Sequence, residues 1–204
     1  MEPLYLTALG FLDLVGIGMF ALSGALLAAQ KRQDFVTFVF FAAVTGVGGG
    51  TVRDLLIGAP VFWVHENWIL LICLGAALLA WFTPPSLWGR GGLVWADALG
   101  IAAYATYGAA KALAYGIAPL PAIGMGVLTA CLGGILRDVL AGEPSILLRQ
   151  EFYVTAAALS AGLIVALSLA GVAELLAGAI AVLAGFALRA AAIARGWTLP
   201  THRR

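Results

Sequence analysis

The stretch TGVGGGTVRDLLIGAP, Thr45 to Pro60, follows the apolar run FVTFVFFAAV and occupies a place where a membrane-length helix should continue. It sets three consecutive glycines a few residues ahead of an adjacent arginine and aspartate. Glycine weakens a helix and charge resists burial in lipid, so their joint presence in one apolar segment needs a reason. The pattern returns in TACLGGILRDVLAGEP, Thr129 to Pro144.

The two copies are 84 residues apart, since 129 − 45 = 84. Thr45, Gly49, Gly50, Arg53, Asp54, Leu56, Gly58 and Pro60 match Thr129, Gly133, Gly134, Arg137, Asp138, Leu140, Gly142 and Pro144. The same offset aligns DLVGIGMFALSGA from Asp13 with DALGIAAYATYGA from Asp97. One offset that serves two separate segments marks an internal duplication.

Composition places the duplication in a membrane. Of 204 residues 63% are hydrophobic and 10% charged, and the mean hydropathy is +1.03. Soluble domains average about 25% charged residues. The chain is therefore read as an all-α integral membrane protein. A net charge of +1 with no basic stripe argues against a nucleic-acid partner. Cys73 and Cys131 are too few and too separated for a disulfide framework and read as small buried residues. His65 and His202 are isolated, so neither a fixed metal site nor a cofactor is expected. The N-terminus lacks a basic n-region and carries Asp13 inside its apolar run, which reads as a retained first span.

Segments of membrane length fall near Leu6–Ala29, Val36–Gly58, Trp68–Phe82, Leu93–Tyr115, Leu120–Gly142, Phe152–Leu169 and Val172–Ala194. The expected layout is a single transmembrane domain of seven helices. Repeat one covers about 1–84 and repeat two about 85–170; an extra helix lies near 172–194, with a short tail at 195–204. Three spans per repeat is an odd number, so the copies must be inverted relative to each other, a design common in proteins that move solutes. Lys31, Arg32, Arg90, Arg149, Arg195, Arg203 and Arg204 gather on one side, with Glu2, His65, Glu66 and Glu174 on the other. The bias puts the N-terminus outside and the C-terminus in the cytoplasm.

Two readings of the glycines stay open. Gly48, Gly49 and Gly50, with Gly133 and Gly134, permit a kink or unwound turn at membrane depth, exposing backbone oxygens to a transient cation. The same glycines also permit close helix packing. Arg53 and Asp54 project about 100° apart on a helix, so each is expected to find another partner. Arg53 and Asp13 lie at similar depth near the outer end, and Asp97 and Arg137 near the inner end. An Asp13–Arg53 association outside and an Asp97–Arg137 association inside are expected; snorkelling of the arginines to headgroups is the alternative. Thr45 and Thr129 place hydroxyls near the centre, and Asp54 and Asp138 give a cation-attracting lining. Lys111, whose repeat mate is Leu27, either snorkels from the outer end of its span or senses voltage.

The doubled Gly-Gly-x-x-Arg-Asp, the aspartates that open each repeat and the seven-span layout resemble those of the trimeric intracellular cation (TRIC) channels. The likeness is to prokaryotic members, sometimes labelled a glycine-transporter domain. The resemblance implies a homotrimer with a pore in each subunit, kinked second and fifth helices, and permeation by monovalent cations, mainly potassium. It makes Gly48 to Gly50, Gly133 and Gly134 the kinks, and has Arg53, Asp54, Arg137 and Asp138 line or brace the pore. Lys111 falls where animal members have a lysine implicated in voltage response. The Lys-Glu-Val lipid-binding sequence of animal members is missing and the tail is short, so a bacterial inner membrane is expected rather than an organelle. The competing function is a secondary transporter for a small zwitterion such as glycine, with Arg and Asp binding carboxylate and ammonium. No His-Glu-x-x-His or Gly-x-Ser-x-Gly is present, and an enzyme is not expected.

Overall fold

The computed structural model describes residues 8–88, 91–145 and 151–200. Arg90, Arg149, Arg203 and Arg204, which bear on orientation, lie outside them, as do Glu2 and His202. The described chain is helical: α1 (Ala8–Gln30), α2 (Phe35–Leu56), α3 (Asn67–Phe82), the short α4 (Pro85–Trp88), α5 (Gly92–Ala114), α6 (Pro119–Leu140), α7 (Val154–Leu169) and α8 (Glu174–Arg195). The seven long helices coincide with the seven apolar segments to within a few residues. By length and composition four of them, α1, α2, α6 and α8, are sufficient to cross a membrane. Helices α3 and α7 have 16 residues each, about 24 Å of helix against a hydrocarbon core of about 30 Å.

Helix ends are written into the sequence. Asp34 caps α2 by accepting the Thr37 N–H at 2.8 Å. At the other end Gly58 turns left-handed (φ 70°) and the Ala59 N–H reaches back to the Asp54 carbonyl at 2.9 Å. Helix α6 stops identically, with Gly142 at φ 66° and the Glu143 N–H on the Asp138 carbonyl. The ends of α1 and α5 are also mates. Gly116 (φ 77°) closes α5, and at the matching place in α1 stands Arg32, forced to φ 53°.

Helices α1 and α5 form the centre, and each packing of the first repeat has a counterpart in the second: α1 on α2 and α5 on α6, α1 on α3 and α5 on α7. Helix α5 is buried almost continuously from Ala96 to Ala112, which explains why the centre of a membrane protein carries one of its less apolar long helices: it faces protein rather than lipid. Its crossing with α1 is a reciprocal knob and hole. A Cβ on Gly16 would lie 2.3 Å from Tyr104, and one on Gly100 would lie 2.9 Å from Phe20. Gly16 and Gly100 are repeat mates, as are Phe20 and Tyr104, and the two rings stack at 5.4 Å. The contact partners ascend in α1 while they descend in α5, so the mates run antiparallel. Large apolar side chains such as Val36, Phe82, Leu120 and Leu169 cover the outside. Helix α8 packs on α7 and α5.

Candidate functional site: two buried charge layers about a glycine crossing

Helix α2 presents Phe38, Phe41, Ala42, Thr45, Gly46, Gly49, Gly50 and Arg53 along one buried stripe at helical spacing. It meets the equivalent stripe of α6. A Cβ on Gly49 would stand 2.0 Å from the Thr129 carbonyl oxygen, and one on Gly133 would stand 2.4 Å from that of Thr45. The two backbones touch at both places, and glycine is required there because any side chain would collide with main chain. Hydrogen-bonded helix runs through Gly48–Gly50 and through Gly133–Gly134 without interruption. These glycines therefore serve close approach, and no unwound turn is present. Gly48 differs, since its Cβ would meet only the tip of Leu136. The Thr45 hydroxyl is buried with no partner among the described residues, while that of Thr129 donates to the Met125 carbonyl at 2.6 Å.

Charge layers lie on either side of this crossing, the one around Arg53 labelled outer and the one around Arg137 inner after the orientation expected from sequence. In the outer layer Asp54 Oδ1 accepts from Arg53 Nε and from Lys111 Nζ, both at 2.8 Å, and Oδ2 accepts the Phe62 N–H at 3.1 Å. Arg53 is fully buried. Its guanidinium lies over Tyr107 (5.0 Å) and Phe62 (5.7 Å), and both terminal nitrogens lack hydrogen bonds among the described residues. In the inner layer Arg137 Nε and Nη2 donate to Asp138 Oδ1 at 2.9 and 2.8 Å. Its Nη1 donates to Asp97 Oδ1 and Ser23 Oγ, each at 2.8 Å. Tyr107 and Ser23 are repeat mates, so each arginine reaches the matching helix of the other repeat.

The sequence expectations fare unequally here. Asp97 and Arg137 are joined as expected. Asp13 and Arg53 are both buried, but no ion pair within 4.0 Å joins them, and Asp13 Oδ1 has no hydrogen-bond partner among the described residues. Arg53 and Asp54 pair with each other, against expectation, although Asp54 also finds the expected second partner in Lys111; Arg137 and Asp138 pair in the same way. The Cα–Cβ vectors diverge, yet the long arginine side chain folds back to bring Nε to the neighbouring carboxylate. Lys111 does not snorkel; it is buried against Asp54 and lies 5.9 Å from the Phe62 ring centre. Sequence reasoning missed Phe62, Tyr107, Ser23, Tyr153 and Arg189. For Arg189 a signal existed: a lone basic residue inside the last apolar span, on the Ala181, Gly185 stripe.

One turn beyond the inner layer, a cavity of ≈ 180 Å³ is lined by Leu27, Ala28, Lys31, Gln33, Phe41, Leu140 and Ala141. Lys31 forms an ion pair with Glu143.

Antiparallel three-helix units that share a glycine crossing between two charge layers define a class of helical membrane proteins, and comparison with known proteins places the chain within it. The family model described as "Glycine transporter" matches twice, over residues 10–85 and 94–169, again at an offset of 84. A crystal structure of the TRIC trimeric intracellular cation channel orthologue from Rhodobacter sphaeroides superposes with a TM-score of 0.87 at 46% identity, covering 93% of this chain and 98% of that one. A prokaryotic TRIC channel crystallised in 0.5 M KCl superposes at 0.83 with 29% identity, covering 94% and 98%. The UPF0126 inner membrane protein YadS of Escherichia coli is 36% identical over 149 residues, 72% of each chain. A UPF0126 membrane protein of Vibrio cholerae is 38% identical over 71% of this chain, a match that spans 62% of that relative's length. The chain belongs to the prokaryotic TRIC channel family.

Proposed function

We propose that this protein is a monovalent cation channel, for potassium and sodium, whose path runs between α2 and α6 through the two charge layers. The observation that carries the reading is the pair of buried, symmetry-related Arg-Asp clusters flanking a side-chain-free crossing. Burying an arginine and an aspartate at membrane depth costs about 2.5–3.5 kcal/mol each on insertion scales. Doing so twice, about a contact built of backbone, favours a route for charge over simple helix packing. In the conformation described the crossing is shut, because the Thr45 and Thr129 carbonyls press on Gly133 and Gly49. Opening requires α2 and α6 to separate or bend at those glycines, so the kinks belong to the conducting state. Lys111, held on Asp54, locks the outer layer and is the group on which a transmembrane field acts.

The finer assignments belong to the same proposal: seven membrane crossings, a homotrimer with one pore per subunit, and a bacterial inner membrane. Lys31, Arg32 and Arg195 support a cytoplasmic C-terminus and an outer N-terminus. The matched solved structures are named as cation channels, which favours conduction over enzymatic chemistry. A transporter for a small zwitterion draws support from the antiparallel repeat and from the family's description.

Recording the purified protein in planar bilayers under a KCl gradient separates the two. Discrete current steps that reverse near the potassium potential are expected. Silence at all voltages together with saturable uptake of glycine into liposomes would replace the channel with the transporter.

A further inference from the structure

The outer layer has two cations, Arg53 and Lys111, on either side of an aromatic ring. Phe62 packs on Gly50, where a Cβ would lie 2.7 Å from its edge, and Arg53 and Lys111 sit 5.7 and 5.9 Å from its centre. The inner layer repeats the ring and the glycine: the Tyr153 hydroxyl lies 2.5 Å from where a Gly134 Cβ would be, and Arg137 Nη2 lies 3.7 Å from that point. Strict repetition would leave the inner layer without its second cation, because the mate of Lys111 is Leu27. Helix α8, outside the duplication, supplies it. The Arg189 guanidinium is 5.7 Å from the Tyr153 ring centre, and Arg189 is 1% exposed.

Arg189 Nη2 donates to Glu151 Oε2, while Arg189 Nε and the Tyr153 hydroxyl are buried without partners among the described residues. The Tyr153 N–H donates to the Glu151 carbonyl at 2.8 Å. Arg189 thus clasps both side chains of the turn that opens α7. The clasp is rigid because Gly185, one turn earlier on the same face of α8, lets Ser160 approach to 1.8 Å from a Cβ position, and Ser160 Oγ donates to the Ala181 carbonyl.

We infer that Arg189 is a positioning residue of the inner charge layer, a restoration by α8 of the second cation the repeat lost, with Glu151 as the counter-charge that keeps that cation from opposing permeation. The inference rests on the channel reading. Counted at ordinary charges among the described residues, Asp97, Arg137 and Asp138 sum to one net negative charge, and the Arg189–Glu151 pair adds none. Neutralising Glu151 leaves Arg189 uncompensated beside the layer and cancels that attraction for cations. The Glu151 side chain is 32% exposed, so the isosteric change Glu151→Gln disturbs charge with little cost in packing.

The test is single-channel recording in symmetric KCl of the wild-type protein, Glu151→Gln, Arg189→Gln, the double variant and Arg189→Lys, with thermal melting of each. Glu151→Gln is expected to lower conductance several-fold, because an uncompensated unit charge beside the layer repels entering cations. Its K⁺/Cl⁻ permeability ratio should fall with it. Adding Arg189→Gln to Glu151→Gln should return conductance to within about twofold of wild type, and Arg189→Lys should stay near wild type throughout. A purely structural role predicts the opposite order, with the double variant worse than either single one. That order, or a conducting Glu151→Gln within twofold of wild type, overturns the inference alone. A wild-type protein that passes no cation current removes the channel reading and the inference together.

Discussion

The Thr129 carbonyl oxygen of α6 stands 2.0 Å from the position a Gly49 Cβ would take on α2, and Thr45 bears on Gly133 in the reverse sense. Main chain meets main chain at the centre of the molecule, and neither side has a flexible group that can yield. Gly49→Ala and Gly133→Ala should each destabilise the protein by about 1–3 kcal/mol or more through overpacking. Gly48→Ala, facing only the Leu136 methyl, should cost well under that. Melting temperatures in one detergent rank the three, and equal losses at Gly48 and Gly49 would refute the crossing as drawn.

Asp54 balances Arg53 and Lys111 at once. Removing its charge by Asp54→Asn takes away the carboxylate that both cations hydrogen-bond, with Asp13 the nearby carboxylate that remains, and breaking a buried pair typically costs about 3–5 kcal/mol. The added change Lys111→Met should recover part of that loss. A double-mutant cycle on thermal stability reads the coupling directly, and strict additivity would mean that the pair contributes nothing. In bilayer recordings Lys111→Met alone should also flatten the voltage dependence of opening.

Arg32 holds a left-handed backbone (φ 53°) where its repeat mate is Gly116 (φ 77°). A non-glycine residue in that region stores about 1–3 kcal/mol of strain. Arg32→Gly should therefore raise stability, by less than the stored strain because glycine is more flexible when unfolded. Gly116→Ala should lower it. Paired melting curves decide, and a fall for Arg32→Gly would show that its exposed side chain matters more than its backbone.

Asp34 at the start of α2 accepts the Thr37 N–H, which holds its carboxyl below the usual carboxylate range. A depressed folded-state value means that the stabilisation is present above the ordinary carboxylate pKa and fades as pH falls through the folded one. Asp34→Ala should thus melt slightly earlier than wild type at neutral pH, with the gap closing in acid. A gap that stays constant from neutral pH to pH 3 would assign it to something other than the ionised cap.

Much of the protein was decided by residue type and spacing alone. The seven apolar segments define the helices, because burying backbone in lipid leaves a helix few alternatives. The offset of 84 between Asp13 and Asp97, and between Arg53 and Arg137, marks the duplication, and Gly58 and Gly142 end α2 and α6 where left-handed turns demand glycine. The Asp97–Arg137 contact was legible because the two residues lie at matched depth on neighbouring spans. Tertiary structure decided the rest. Whether Gly49 bends a helix or admits a neighbour depends on what stands opposite, and only the fold brings the Thr129 carbonyl there. Depth along a helix says nothing about azimuth or side-chain reach, so the fold-back of Arg53 onto Asp54 and the inward turn of Lys111 were hidden. Arg189 lay outside the repeat, and its meaning appeared only when α8 packed beside the inner layer: one dimension records spacing, but a counter-charge acts through three.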